Sequence, residues 1–279
     1  MGLLKKLSSW LKRAVPIIDE QLWNNATHRY GFMTGLSHEE NRRLRLIASD
    51  FLSRKSLVGV GDFVLTPIMK VEIAAQASIL ILELGVDYYN GWSDVIVYPG
   101  EFRPARELVD EIGVVHLTHD PLAGEAWLGG PVILSYEDVA CVGTNDAIAG
   151  FNVVIHEFAH KLDMLNGDAN GYPPLSKGMS AAEWQLTFKT AYLRFCEQVD
   201  IADARAVEDS GAMLESLALD PYASESPAEF FAVVSEAFFE TPQRIQENFP
   251  DVYRLLTQFY RQNPAQRQLR QDAQTIKRF

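Results

Sequence analysis

Cysteine is scarce in this chain: its 279 residues include only Cys141 and Cys196, far apart and in no CxxC spacing. That excludes a disulfide framework and a cysteine-ligated zinc, and both side chains are expected to be buried thiols in a reducing compartment. Basic charge is also short. The formal net charge of −12 argues against direct nucleic-acid binding, because neutralising phosphates needs a basic surface. Long apolar runs are missing as well. The most apolar stretch, residues 73 to 84, is broken by Gln76, Ser78 and Glu83 and is too short to form a transmembrane segment. No signal-peptide pattern opens the chain, so the expected address is the cytoplasm. Gly-x-Ser-x-Gly, Walker-type and GxGxxG motifs are absent, as are internal repeats.

What is present reads as mainly helical α+β. Leu3, Leu4, Leu7, Trp10 and Leu11 fall on one helical face with Lys5, Lys6, Lys12 and Arg13 mostly elsewhere, so residues 1–25 form an amphipathic arm expected to fold back on the body. Ser37 and Glu40 make a capping box for a helix to about Arg54, and Thr66-Pro67 opens another through about Leu84. Short strands follow at 95–98, 113–117 and 132–136. Further helices are expected over about 180–199, 226–240 and 251–262, with an irregular acidic stretch over 200–209. The organisation expected is a helical N-terminal lobe over 26–90, a second lobe with a small central sheet over 91–265, and a polar tail over 266–279.

The second lobe carries Gly150-Phe-Asn-Val-Val-Ile-His-Glu-Phe-Ala-His-Lys-Leu-Asp163. Apolar residues at Ile148, Phe151, Val154, Ile155, Phe158, Ala159, Leu162 and Leu165 give helical periodicity. Thr144, Asn145 and Asp146 supply cap chemistry upstream and Asn166-Gly167 downstream, which predicts histidines in mid-helix. Residues four apart share a face, so His156 and His160 can hold one metal ion while Glu157 reaches water beside it. The competing reading is two hydrogen-bonded core histidines, but polar groups on so apolar a helix are costly unless something pairs them. His116 and His119, three apart on or after a strand, share no face and are set aside.

A catalytic zinc usually takes three protein ligands and leaves one position open, whereas a structural zinc wants four. The metzincin extension would need a glycine at position 163 and a histidine at position 166, but Asp163 and Asn166 stand there. Four carboxylates therefore compete for the third place. Asp163, a turn past His160, better suits orienting an imidazole. Glu215 lies in a plausible short helix with nothing else to recommend it. Glu229 lies on an apolar helix, yet Ser226-x-x-Glu229 is equally a capping box, so the residues alone leave ligand and cap open. Glu236, seven residues on, could be either the ligand or a supporting acceptor.

The run 150–168 and the segment Tyr222-Ala-Ser-Glu-Ser-Pro-Ala-Glu-Phe-Phe-Ala-Val-Val-Ser-Glu-Ala-Phe-Phe239 resemble the Mlc titration factor A family of bacterial zinc peptidases. Ile73-Ala-Ala-Gln-Ala, Val97-Tyr-Pro, Gly130-Pro-Val-Ile-Leu-Ser and Gln258-Phe-Tyr-Arg-Gln-Asn-Pro extend the likeness over residues 35 to 265. The active site is also similar to that of the anthrax lethal factor catalytic domain. The resemblance implies a zincin-like lobe in which His156, His160 and Glu229 bind one Zn2+ and Glu157 is the general base. It further implies that Tyr222 donates to the oxyanion and that action is aminopeptidase-like on peptide substrates. It also implies an alternative: a regulatory protein that sequesters the transcriptional repressor Mlc and so affects sugar uptake, with hydrolysis secondary. Tyr136 departs from the family pattern, standing where tryptophan often follows the Leu-Ser pair. Gly130, Val132 and Leu134 are expected on an edge strand that pairs with extended substrate.

Overall fold

The computed structural model describes residues 15–100, 106–109, 115–118, 124–126, 129–144, 147–208 and 217–269. The amphipathic arm through Arg13, Asn145, Asp146, His119, Glu215 and the end of the tail lie outside these residues. Three helices begin the described chain: α1 Glu20–Thr27, α2 Gly31–Thr34 and α3 His38–Arg54. Ser37 and Glu40 form the expected capping box on α3. Strand β1 Ser56–Gly59 leads to α4 Pro67–Leu80, which starts at the expected Thr66 cap. It ends four residues early, in turns that deliver Gly85 at φ 93°.

The central strands are β2 Asp94–Tyr98, β3 Arg106–Val109, β4 Val115–Thr118, β5 Gly124–Ala126 and β6 Val132–Ser135. β3 and β4 form a separate antiparallel pair, and the main sheet has the order β1-β2-β6-β5. Its first three strands run parallel, with β5 antiparallel at the end. β1, from the expected helical lobe, is thus an outer strand of the sheet beside the second lobe, and one apolar core runs from Trp23 to Ala265. The class is α+β.

Two corrections concern this sheet. β6 is an interior strand, pairing Val132 with both Val95 and Ala126, and Leu134 with both Val97 and Gly124. Its backbone has no free side for substrate, and Val132 and Leu134 are fully buried. Gly130 just ahead of it instead accepts a bond from Lys161 Nζ (2.8 Å). On this side of the sheet the edge strand is β5. The strand also stops at Ser135, which caps the short helix α5 Tyr136–Cys141.

α6 Val153–Asp163 carries the two histidines, and it packs on β5, β6 and α4. It starts later than its apolar periodicity predicts, because Gly150 takes φ +92° and Asn152 is the cap. Ile148 is consequently exposed rather than part of a buried stripe. His156 is therefore the fourth helical residue, not a mid-helix one. α7 Ala181–Glu208 runs nine residues past its expected end and absorbs the acidic stretch. α8 Pro227–Glu240 follows, then α9 Pro242–Asn248, which the residue pattern does not announce, and α10 Pro250–Tyr260.

Aromatic packing holds α6 and α8 in place. Phe158 on α6 lies 5.1 to 5.7 Å, centroid to centroid, from Phe51, Tyr89 and Trp92. Phe231 on α8 meets Trp184 and Phe188 of α7 and Phe259 of α10. Large rings dominate this burial, at about 150–250 Å² each. Cys141 and Cys196 are free thiols, half-buried rather than buried.

Candidate metal centre

Asn152 organises the start of α6. Its Oδ1 accepts from Ile155 N (3.0 Å), capping the helix, and its Nδ2 donates to Gln76 Oε1 of α4 (2.9 Å) and Glu240 Oε1 of α8 (2.7 Å). Its backbone N–H donates to Glu236 Oε2 (2.5 Å). Glu236 Oε1 in turn accepts from His156 Nδ1 at 2.7 Å. A carboxylate oxygen only accepts, so His156 Nδ1 carries a proton and Nε2 is the ring atom left facing Glu229 and His160. Behind Gln76 the network continues through Tyr30, Arg29 and Glu72 to the Tyr136 hydroxyl, which donates to Glu72 Oε2 (2.7 Å). The hydroxyl of Tyr136 thus has a defined partner in a buried polar chain.

Glu229 makes only half of its capping box. Ser226 Oγ accepts from Glu229 N (3.1 Å), so the cap is made, but the Glu229 side chain turns toward the histidines instead of back to Ser226. Its Oε2 lies 3.0 Å from His156 Nε2 and 3.2 Å from His160 Nε2, and the two nitrogens are 3.1 Å apart. Three donor atoms that close repel one another unless a shared proton or a metal cation lies between them. Ligands held about 2.0–2.1 Å from a tetrahedral zinc stand roughly 3.3 Å from each other, close to these separations. Among the described residues, His156, His160 and Glu229 form a group able to hold a metal ion.

The surroundings favour a cation. Glu157 is buried (4% exposed), and its Oε2 has no hydrogen-bond partner. Burial pushes the Glu157 carboxyl up to about 7, against the pull of both histidines. Burial also raises Glu236, against the attraction of His156. The opposite holds at Glu229, where bonds from His156 and His160 overcome burial and keep the carboxyl well below the usual range. At His156 burial works against the charged form, yet Glu236 and Glu229 still hold its pKa well above the ordinary value. Three carboxylates crowding two imidazoles in a buried space are stabilised by a cation.

Asp163 is placed differently from Glu236. Its Oδ2 accepts from Asn170 N and Gly171 N, both at 2.7 Å, pinning the following loop. Gly171 is required there: at φ +77° it lies so close to Pro227 O that a Cβ would sit 2.4 Å away. Asp163 Oδ1 and His160 Nδ1 are both buried and both lack a hydrogen-bond partner. Tyr222 lies on the 3-10 turn Pro221–Ser224, held by its Asp220 cap and by Tyr192 Oη, which donates to Ser224 O. Its ring is 6.0 Å from that of His156, and the residue is 48% exposed.

The model of the glucose-regulated metallo-peptidase M90 family matches residues 5–261. The chain belongs to this family. It is similar to a Mlc titration factor A of Pectobacterium atrosepticum, 39% identical over 233 residues, covering 83% of each chain. It is also similar to the Mlc titration factor A of Yersinia pestis, 33% identical over 261 residues, 92% of this chain and 91% of the relative. M90 membership makes the protein a metallopeptidase by family, consistent with the group of buried His156 and His160 beside half-buried Glu229.

Three residues of this M90 site escaped the sequence reading: Asn152, Gln76 and Glu240. Asn152 carried a usable signal, an N-cap residue directly before the apolar run. Gln76 lay in the Ile73-Ala-Ala-Gln-Ala run without a role attached to it, and Glu240 carried no signal, because their roles exist only where three helices meet.

Proposed function

We propose that this chain is a zinc-dependent peptidase in which His156, His160 and Glu229 hold the metal. The observation that carries this is the convergence of their three donor atoms within 3.0 to 3.2 Å beside the unpartnered Oε2 of buried Glu157. Zinc in that position supplies Lewis acidity toward the scissile carbonyl and toward water. Glu157 takes one proton from the attacking water and delivers it to the leaving nitrogen, as the C–O bond forms and the C–N bond breaks. Glu236 fixes the His156 tautomer, and Tyr222 donates its hydroxyl to the developing oxyanion.

Aminopeptidase-like action on peptides carries over from the family resemblance, and comparing free with N-blocked peptides reads it out. Both half-buried free cysteines support a reducing, cytoplasmic setting. No helix among the described residues is long and apolar enough to cross a membrane. The relatives' name makes the repressor Mlc a partner to try, and the family description ties the activity to glucose. The deciding experiment is Glu157→Gln with zinc content, peptide hydrolysis and Mlc binding measured together. Zinc retained with hydrolysis lost is expected, whereas hydrolysis surviving removes Glu157 from the mechanism. Mlc binding that persists in this variant makes the partner role independent of catalysis.

A further inference from the structure

The start of α6 opens into a cavity of about 420 Å³, within the range of roughly 300–1,000 Å³ typical of small-ligand sites. Its polar lining includes His156, Glu157, Asp220, Tyr222 and Glu236. The rest of its wall is mostly apolar, with Phe151, Val153, Leu219, Val233 and Ala237, and exposed Ile148 also belongs to its lining. Val153, Leu219, Val233 and Ala237 are each at most 6% exposed, so this wall is part of the packed core rather than a mobile surface. Four chain segments build it: the approach to α6, the turn holding Leu219, α8, and the α8–α9 junction with Arg244, whose guanidinium donates to Leu217 O. An apolar space this large, open beside a buried carboxylate, is suited to a large apolar group.

We infer that this cavity receives the side chain of the substrate residue that retains the leaving nitrogen, and that it selects a large apolar one. This rests on the peptidase reading above. Glu157 must come within hydrogen-bond reach of the leaving nitrogen to protonate it, so the residue bearing that nitrogen lies on the Glu157 side. Glu157 lines the cavity, which continues past it over the apolar wall. A glycine or alanine there leaves the apolar wall wet, whereas leucine or phenylalanine covers it.

The test uses zinc-loaded protein and four probes: the N-phosphoryl amides of glycine, alanine, leucine and phenylalanine. Their phosphoryl group stands in for the tetrahedral carbon and their amino acid for the leaving side. Titration calorimetry should show Kd falling at least about tenfold from alanine to leucine, and as far for phenylalanine. Ala237→Phe fills the cavity and should erase that gain while leaving the glycine probe unchanged. Because Ala237 is packed in the core, Ile148→Glu at an exposed lining position gives a second variant that should fold, with the same expected pattern. Equal affinity across the four probes overturns the inference, as does a variant that weakens all four alike. A side-chain gradient in a protein that hydrolyses no peptide upholds the cavity and removes the peptidase reading. Hydrolysis with a flat series does the reverse.

Discussion

The two histidines of α6 are chemically identical and only one turn apart, yet their supports differ. His156 stands at the N-terminal end, where Glu236 bonds its Nδ1 and Asn152 bonds Glu236, so its ring is fixed by α4 and α8 together. His160 stands toward the C-terminal end, where its Nδ1 and the neighbouring Asp163 Oδ1 are buried without hydrogen-bond partners. One half of the site is prebuilt from distant helices. The other half is held mainly by helix geometry and by Glu229. A carboxylate serves each half, but Glu236 serves the imidazole while Asp163 commits its bonded oxygen to a loop.

The largest effect expected lies at Glu157, which borders both halves. Glu157→Gln should lower peptide hydrolysis by on the order of 10²–10⁴-fold while one zinc per chain remains, read by steady-state kinetics and elemental analysis. Next come the carboxylates. Glu229→Ala should strip most of the zinc, and Glu236→Ala should weaken zinc binding by about 10–100-fold, both measured by competition with a chelator. Loss of zinc from Glu236→Ala but not from Glu229→Ala would exchange their roles.

Asp163→Ala sharpens the contrast directly. It should cost thermal stability through the freed 170–171 backbone while changing zinc affinity less than Glu236→Ala does. Equal losses of affinity would mean that the two histidines are supported alike. Asn152→Ala removes the α6 cap, worth about 1 kcal/mol, and should lower Tm by a few degrees. Its zinc affinity should fall as well, because Glu236 loses an anchor.

The smallest effect concerns pH. Burial, opposed by the bond from Asn152, raises the Glu240 carboxyl from 4.5 to about 7. The folded protein therefore binds more protons there than the unfolded chain. The contribution of Glu240 to stability is present below about pH 4.5 and is lost as pH rises through about 7. Glu240→Gln should remove that slope, so denaturation of the two proteins should differ most in pH dependence between these values.

Much of this was legible in the chain, and the rest failed for identifiable reasons. The helix starts at Ser37, Thr66 and Ser226 could be read because capping is local: the accepting side chain and the donating backbone N–H lie three residues apart. The histidine pair could be read because helical spacing is local too. Periodicity misplaces the start of α6 because apolar residues at Ile148 and Phe151 continue the pattern, while one glycine at positive φ breaks the backbone. The place of β6 could not be read, since alternation of side chains says which face is buried and nothing about which edge is paired. The geometry of Glu229 was equally out of reach from the residues alone, because Ser226 and Glu229 satisfy a capping box on paper.

The bond from Asn152 to Gln76 spans 76 residues and that from His156 to Glu229 spans 73. Metal capture by this group would consequently be a late event in the life of each molecule. A chain in which only α6 has formed offers two neighbouring imidazoles with no fixed tautomer and no carboxylate between them. Only when α8 has docked does the full donor set exist, and only with α4 in place is Asn152 held, so tight zinc binding should follow complete folding and serve as its timer.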